Sequence, residues 1–452
     1  MGTSGRAGIE FAPQTASAPG IVNAKRGAVK LRFRSIATSS AFRGASALAG
    51  SAVLAQAVTL VATPILSRVY PPEAFGFLTM VVSVTGMLAP AVALRFESAL
   101  MLPRRQDEAS ALLFLGLLCV ATVSVLSVVT LEILFGLGLL GAMSSLPGFS
   151  WWVGGITLLS GAFVVFGQYA LRSHKYSTVG IRNITQAIVT AASQLSMALV
   201  TLSGLGLVAG YALGRAGGLM PLAFSARADL RRFRYQDVRA VLRRYWRFPA
   251  LFAPAALLNA GALALPIICA GLWFDVSDAG QWGMAERVLA LPLVIVATAL
   301  GQVVEARLAN HARDRASGCV QFFARVSMFL ALFSLLVAAV VLAVAPLVVP
   351  FILGSKWTDV AAIMQLLLPM LITRLIASPM SKSLVVAQWA AVNLWLDVGR
   401  AILVCFTLAA CRVLGASLNE LVFWTAAAFA VVYVATWICA LLAAKSIDAV
   451  AD

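Results

Sequence analysis

Five basic side chains interrupt long apolar stretches of the sequence, where a charged group is costly. They are Arg215, Arg287, Arg374, Lys382 and Arg400. An ionised side chain in the middle of a membrane costs at least about 2.5–3.5 kcal/mol, so we expect these residues to line a watery cavity or to pair with acids. The planar guanidinium of arginine can donate two hydrogen bonds to the oxygens of one phosphate. The four arginines therefore suit an anionic ligand that carries phosphate.

Acidic neighbours offer some of these residues a structural role instead. Arg400 follows Asp397 by three residues, so an ion pair along one helix face and a ligand role are both open. Glu286 directly precedes Arg287, about 100° away around a helix, so these two cannot satisfy each other along one face. Arg215 has no acid nearby in the sequence, and its role also stays open.

The composition indicates which elements must position these residues. Of the 452 residues, 61% are hydrophobic and 12% are charged, and the mean hydropathy is +0.93. This is too apolar for a water-soluble globule. About 20 apolar residues cross a bilayer as one helix, so the apolar segments predict an all-α polytopic membrane protein with about twelve transmembrane helices. The predicted spans are 45–66, 77–95, 110–134, 151–170, 184–202, 205–224, 249–272, 283–304, 326–347, 361–383, 394–410 and 421–442.

The basic residues are distributed unevenly between the predicted loops. The chain has 34 lysines and arginines against 18 acids, a net charge of +16. With the N-terminus inside, the outer loops hold only Arg68, Lys356 and Arg412 among these basic residues. By the positive-inside rule this pattern predicts that both termini are cytoplasmic. Topology thus explains most of the charge, and we expect no nucleic-acid partner.

The predicted spans divide into two sets of six. Residues 1–43 form a basic cytoplasmic tail that we expect to be disordered, and residues 446–452 form a second tail. The six-helix bundles cover 44–224 and 249–445. Between them, 225–248 is a linker with eight arginines, in which apolar residues recur at near-helical spacing. It is therefore expected to be amphipathic and to lie on the anionic inner leaflet, although a topology determinant alone would also explain it.

A weak internal repeat relates the two bundles. PPEAFGFLTM (71–80) and DVSDAGQWGM (275–284) align on Gly76 with Gly280 and on Met80 with Met284. Each segment follows the first span of its half. This placement favours two bundles in parallel repeat, related by an axis along the membrane normal, as in alternating-access transporters.

Glycines recur every fourth residue on the sixth predicted span. This spacing gives the helix a smooth face that a neighbouring helix can approach closely. We interpret the face as a packing surface. The residues are Gly206, Gly210, Gly214 and Gly218.

Three motifs resemble one known family. SRVYPPEAFG (67–76) and, one helix later, LRFESALMLPRRQDEA (94–109) are similar to the N-terminal signature of bacterial polysaccharide flippases. MAERVLALPLVIVATALG (284–301) is similar to the eighth helix of the same superfamily. The chain after residue 43 thus resembles the polysaccharide flippases of the multidrug/oligosaccharidyl-lipid/polysaccharide (MOP) exporter superfamily.

The resemblance implies a fold, a substrate and a place in the cell. The two bundles would form a V around a central cavity in the bacterial inner membrane. By alternating access, the protein would flip a lipid-diphosphate-linked oligosaccharide from the cytoplasmic to the periplasmic leaflet for O-antigen, capsule or exopolysaccharide synthesis. Its partners would be this substrate and membrane lipids, and could include a polysaccharide polymerase and a chain-length regulator. No cofactor or metal is expected.

Candidate site residues follow from the intramembrane charges and the resemblance together. Arg287 is the first candidate because it also matches the family pattern. Arg95 and Glu97 match the family motif, although an i,i+2 pair there can equally be a gate or an anchor. The candidates for substrate binding are Arg287, Arg215, Arg374, Arg400 and Arg95. The candidates for gating or ion coupling are Glu286, Glu97 and Asp397.

Two other functions are alternatives to the flippase. A membrane polymerase or glycosyltransferase is disfavoured, because the chain has only two histidines, no HExxH, no phosphate-binding GxxxxGK[ST] loop and no large outer loop. We therefore do not expect an enzyme. An ion-coupled drug/cation antiporter of the same superfamily needs an embedded carboxylate in the first bundle. Predicted spans one, five and six contain no acid, so an anionic substrate is favoured.

Overall fold

The computed structural model of the protein describes residues 40–231, 235–314 and 318–451 and is helical in all three ranges. The predicted disordered tail lies outside the described residues, apart from residues 40–43, which begin the first helix. The all-α prediction is confirmed. The first half holds α1 Ser40–Val69, α2 Pro72–Leu88, α3 Phe96–Ala99, α4 Gln106–Gly136, α5 Phe149–Arg172, α6 Tyr176–Met197, α7 Gly204–Ala226 and α8 Tyr235–Arg244.

The second half begins with a π-helical turn, Phe248–Phe252, that leads directly into α9. Two short 3₁₀ turns, Gly141–Ser145 and Asp229–Arg231, lie in the first half. The helices of the second half are α9 Ala253–Trp273, α10 Val276–Asp314, α11 Cys319–Leu353, α12 Thr358–Leu366, α13 Leu368–Met380, α14 Lys382–Val386, α15 Ala390–Val413 and α16 Leu418–Ala451.

Eight of the described helices are long and apolar enough to cross a membrane. The count rises to nine if α12 and the stretch Leu368–Val386, which are bent by 52°, form one broken span. Three predicted spans are not among these helices. One of them, α2, is only 17 residues long. The other two, α6 and α10, are 22 and 39 residues long but are not among the eight helices that are both long and apolar enough. The protein is a polytopic membrane protein, and the number twelve stays a prediction.

Most of the predicted spans have different bounds in the structure, and three of them end early, are shifted or are broken. The span predicted at 77–95 ends at Leu88, and 89–95 form turns, because Pro90 lacks the N–H that would continue the helical hydrogen bonds. The span predicted at 184–202 is α6, which begins eight residues earlier. The span predicted at 361–383 is broken into α12, α13 and the start of α14.

Each half packs mainly within itself, and α2 makes the main contacts between the halves, against α9 and α10. We call the end of the molecule with the loops at 70–71, 274–275 and 354–357 the sealed end. The opposite end, with the loops at 100–105 and 173–175, is called the basic end.

The hydrophobic cores differ between these two ends. One cluster joins both halves and includes buried Tyr70, Phe75 and Trp357 at the sealed end. Toward the basic end there are two separate clusters, one in the first half around Phe96 and one in the second half around Phe323. The halves therefore share a core at the sealed end and have separate cores at the basic end, which gives the V expected from the resemblance.

Hydrogen bonds between the halves add to this core at the sealed end. The indole of Trp357 donates to the carbonyl of Ser67 at 2.8 Å, and its ring meets Phe75 edge-on at 5.2 Å. Arg68 donates to the carbonyls of Phe351 and Ile352, at 2.7 and 3.3 Å, at the end of α11. A cation is favourable there because the last carbonyls of a helix lack partners within the helix.

The glycines of the predicted repeat meet at the crossing of α2 and α10. A Cβ on Gly76 would clash with the carbonyl of Val276, and a Cβ on Gly280 would lie 2.7 Å from the nitrogen of Gly76. The repeat partners Met80 and Met284 are both buried nearby. Only glycine permits this close approach of two backbones.

The linker and the second tail pack onto the bundles. The linker helix α8 lies against α4, with Val241 and Tyr245 buried and Arg244 3.4 Å from Glu108. Residues 446–451, predicted as a tail, continue α16. The carboxylate of Asp448 accepts from the backbone nitrogens at the start of α11, at 2.8–3.1 Å, and so satisfies groups that a helix start leaves without partners.

Candidate functional site

A polar cavity of about 340 Å³ lies between α1, α6, α7 and α10. Helices α6 and α7 form one of its walls, and they pack closely because α7 presents its glycine stripe to α6. A Cβ on Gly214 would clash with Thr190, and one on Gly210 would meet Gln194. The predicted packing role of the stripe is thus confirmed. The uncharged polar side chains that line the cavity are Gln56, Thr59, Asn183, Gln186, Thr190, Gln194 and Tyr211.

Arg215 is held against this cavity by aromatic groups. Its Nε and Nη2 donate to the hydroxyl of Tyr211, one turn earlier on α7, at 3.2 and 2.7 Å. Its guanidinium carbon lies 5.2 Å from the ring centre of Tyr211 and 5.3 Å from that of Phe163. A guanidinium has five N–H donors, so this arrangement orients Arg215 and leaves donors available.

A second arginine, Arg182 on α6, stands over the same ring. Its guanidinium carbon is 4.2 Å from the centre of Phe163, and its Nη1 donates to the Phe163 carbonyl at 3.4 Å. Its Nε donates to Asn183 at 3.2 Å. Arg182 and Arg215 are close enough to repel each other electrostatically. Two half-buried like charges over one ring favour an anion between or beside them.

Arg287 joins this region from the second half. It lines the cavity, lies 5.7 Å from the ring centre of Phe75 and interacts electrostatically with Tyr211. Tyr211 therefore links Arg215 to Arg287 across the two halves. None of the ion pairs found in the described ranges involves Arg182, Arg215 or Arg287.

The neighbour of Arg287 in sequence faces different partners. Glu286 accepts a hydrogen bond from the indole of Trp282 at 3.2 Å and is attracted by Arg374. This agrees with the expectation that adjacent Glu286 and Arg287 do not satisfy each other. Glu286 and Arg374 form a second charged group in the second half.

Arg400 lies in an enclosed polar group within the second half. It is 3.3 Å from Asp397, as the spacing allowed, and it donates to Asn259 at 2.6 Å. Its guanidinium carbon is 5.6 Å from the ring centre of Tyr433. The side chains of Arg400 and Asp397 are only 12% and 23% exposed. The ion pair is present, and a ligand role for Arg400 stays a prediction.

Arg95 and Glu97 lie at the basic end, at the start of α3 and away from the cavity residues. Their side chains are 3.7 Å apart, and Arg95 has a left-handed backbone, with φ of 64°. Burial raises the pKa of Glu97, although Arg95 opposes the shift. A non-glycine residue in this backbone region carries strain. The geometry accords with an anchor or a gate at this end.

The structure thus divides the predicted site residues into separate groups. It brings Arg215 and Arg287 to the same tyrosine, Tyr211, and it places Glu286 within electrostatic reach of Arg374. Arg182 precedes the span predicted at 184–202 and is a half-buried residue on α6 in the structure. The helix begins before it because its polar side chains have a cavity to face. A four-residue spacing of polar side chains was the signal that could have found this face: Arg182, Gln186, Thr190 and Gln194.

Residues 65–362 match the sequence family described as polysaccharide biosynthesis proteins. This range covers more than half of the chain. The chain belongs to this family. No curated protein matches the chain.

Solved structures share the fold of this family member at low sequence identity. An inward-facing multidrug resistance MATE transporter of the MOP superfamily superposes with a TM-score of 0.63 at 15% identity, over 87% of this chain and 95% of the other. The lipid II flippase MurJ, in an inward closed conformation, gives 0.62 at 11% identity over 90% of each chain. An outward-facing MATE transporter gives a TM-score of 0.50 at 14% identity, over 90% of this chain and 96% of the other. Family and fold together confirm the resemblance to MOP-superfamily polysaccharide flippases.

Proposed function

We propose that the protein flips a lipid-diphosphate-linked oligosaccharide from the cytoplasmic to the periplasmic leaflet of a bacterial inner membrane. The observation that carries the proposal is that Arg287 lines the cavity and that Arg182 and Arg215 lie together on the ring of Phe163 beside it, with no acid among the residues that line the cavity in the described ranges. Fixed cations lower the cost of carrying a diphosphate through hydrocarbon. The lipid tail would remain in the bilayer beside the cavity.

The uncharged polar residues would form hydrogen bonds with the sugar part of the substrate. Amide and hydroxyl groups on α1 and α6 line the cavity beside the arginines, among them Gln56, Asn183 and Gln186. Such groups can both donate and accept hydrogen bonds, as sugar hydroxyls require. A cationic drug would instead need a carboxylate here, so the antiporter alternative receives no support from this lining.

Shape and charge support the proposed direction of transport. The sealed end holds the loops that are poor in basic residues, and the cavity lies in a V whose halves separate toward the basic end. The positive-inside rule assigns the basic end to the cytoplasm, together with both termini. The fit to the inward-facing MATE structure, 0.63 against 0.50 for the outward-facing one, supports an inward-facing conformation. In this state the cavity would load substrate from the cytoplasmic side.

The test is the substitution of Arg287, which contacts the cavity from the opposite half. Arg287→Ala removes charge-assisted hydrogen bonds of about 1.5–3 kcal/mol, so substrate affinity should fall roughly tenfold to hundredfold. Arg287→Lys should restore export only partly, because it keeps the charge and loses the planar fork. Polymer export and membrane abundance are measured together in a deletion strain.

A purely structural role of Arg287 gives a different pattern. It predicts a low abundance of the alanine variant and full rescue by lysine. Normal export by well-expressed Arg287→Ala would contradict the proposal. As a matched control, Arg104→Gln removes an exposed arginine that does not line the cavity and should leave export unchanged.

A further inference from the structure

A second basic pocket lies outside the V, on the surface of the second half. It has a volume of about 480 Å³ and lies between the end of α10 and the start of α11, at the basic end. Arg307, His311 and Arg325 line it, and none of the lining residues in the described ranges is acidic. No ion pair found in the described ranges includes Arg307 or Arg325.

The pocket changes from charged to apolar along its depth. Leu300 lies seven residues before Arg307 on α10, about 10 Å deeper at 1.5 Å per residue. Phe329 lies four residues beyond Arg325 on α11, about 6 Å deeper, and its side chain is 59% exposed. The basic groups thus lie near the end of the molecule, and the apolar lining continues toward the membrane.

An aromatic ring orients Arg307 in this pocket. The guanidinium carbon of Arg307 lies 5.0 Å from the ring centre of Phe322, which also lines the pocket. The backbone N–H groups at the start of α11 already donate to Asp448. They are therefore not available to bind another anion. The positive charge comes from the side chains.

We infer that this pocket binds an anionic phospholipid of the inner leaflet, with its phosphate between Arg307 and Arg325 and an acyl chain along Val326 and Phe329. The charge complementarity requires an anion, and the apolar depth requires a chain attached to it. A free phosphate would leave the apolar part uncovered. Such a lipid would be a bound component of the second half and not the transported substrate.

The test uses the full-length protein in detergent and native mass spectrometry. Dioleoyl phosphatidylglycerol is titrated against dioleoyl phosphatidylcholine, which has the same chains and no net charge. We expect the wild type to prefer phosphatidylglycerol. Arg307→Gln with Arg325→Gln should weaken this binding roughly 25-fold, since each basic residue near an anionic surface contributes roughly fivefold.

The matched control is Arg104→Gln with Arg239→Gln. It removes two exposed arginines outside the pocket, and binding of phosphatidylglycerol should stay within twofold of the wild type. An equal loss in the control would mean diffuse charge attraction and would overturn the inference. So would equal binding of the two lipids by the wild type, or displacement of the lipid by excess inorganic phosphate.

A single substitution guards against failure of the double variant to fold. Arg325 is exposed, so Arg325→Gln should fold and weaken phosphatidylglycerol roughly fivefold. Arg325→Lys should keep most of the binding. An unchanged affinity in folded Arg325→Gln would contradict the assignment of this arginine to the phosphate.

Discussion

Two groups of intramembrane arginines, one in each half, are held in different ways. In the first half, Arg182 and Arg215 stack on the ring of Phe163 and donate to neutral groups. In the second half, Arg400 pairs with Asp397 and Arg374 attracts Glu286. An aromatic ring orients a cation without neutralising it, whereas a carboxylate cancels its charge. The first group therefore keeps its positive charge, whereas the second group lies with acids of its own half.

This difference indicates that the two groups of arginines have different roles, although the two bundles have similar architecture. A transporter needs charge that is free when substrate arrives, and it needs rigid helices that keep their shape during rocking. Arg287 belongs to the second half by sequence, but it lies over the ring of Phe75 and interacts electrostatically with Tyr211, both in the first half. Arg287 therefore adds its positive charge to the arginines that are not paired with an acid. The predictions below test whether free and paired arginines respond differently.

The largest effect is expected from Arg182→Gln combined with Arg215→Gln. Each arginine can supply charge-assisted hydrogen bonds of about 1.5–3 kcal/mol, so the pair should lower export at least about a hundredfold. Membrane abundance should be unchanged or higher, because the two charges repel each other and have no acid to leave unpaired. Export of polymer and immunoblots of membranes are the measurements.

The control for this double variant removes the same charge elsewhere in the first half. Arg104→Gln with Arg239→Gln changes two exposed arginines and should export normally. If the cavity variant lost abundance in proportion to export, the free arginines would be structural. The contrast between the halves would then be wrong.

The sequence predicted the fold well and the site in part. Long apolar segments are costly to leave in water, so most of the helices could be located, although α6 begins eight residues before its predicted start and the span predicted at 361–383 is broken. Arg215 and Arg287 could be selected as candidates because a charged side chain inside an apolar segment is costly unless it binds a ligand or pairs with an acid. Arg182 was missed because α6 is less apolar near its start, and a basic residue there looks like part of a loop. The ring of Phe163, which orients both arginines, could not be inferred, since that contact depends on packing between α5, α6 and α7.

A smaller effect is expected at the crossing where the two halves are alike. Gly76→Val and Gly280→Val place side chains where the backbones of α2 and α10 touch, and overpacking costs about 1–3 kcal/mol. The sealed end should open roughly tenfold more often. Labelling of an introduced Thr190→Cys by an impermeant reagent from the periplasmic side measures this opening.

Gly86→Val is the matched control for this experiment. It lies on α2 as Gly76 does, but nothing lies within 4 Å of its added Cβ, so labelling should stay at the wild-type rate. A faster rate in Gly86→Val would attribute the effect to the helix and not to the crossing. Unequal effects of Gly76→Val and Gly280→Val would show that the halves differ at this end too.

The smallest effect on export is expected at the paired arginine of the second half. Arg400→Gln leaves Asp397 without its cation in an enclosed position that also holds Asn259. Since the pair is mostly buried, the cost should be about 1–3 kcal/mol of stability, seen as lower membrane abundance and a lower melting temperature in detergent. Export per molecule should stay near the wild-type level.

Adding Asp397→Asn to Arg400→Gln removes the uncompensated charge, so the neutral double variant should recover most of the abundance. Recovery of abundance with a persistent loss of export per molecule would place Arg400 among the substrate-binding residues, and the second half would then share the role assigned to the first.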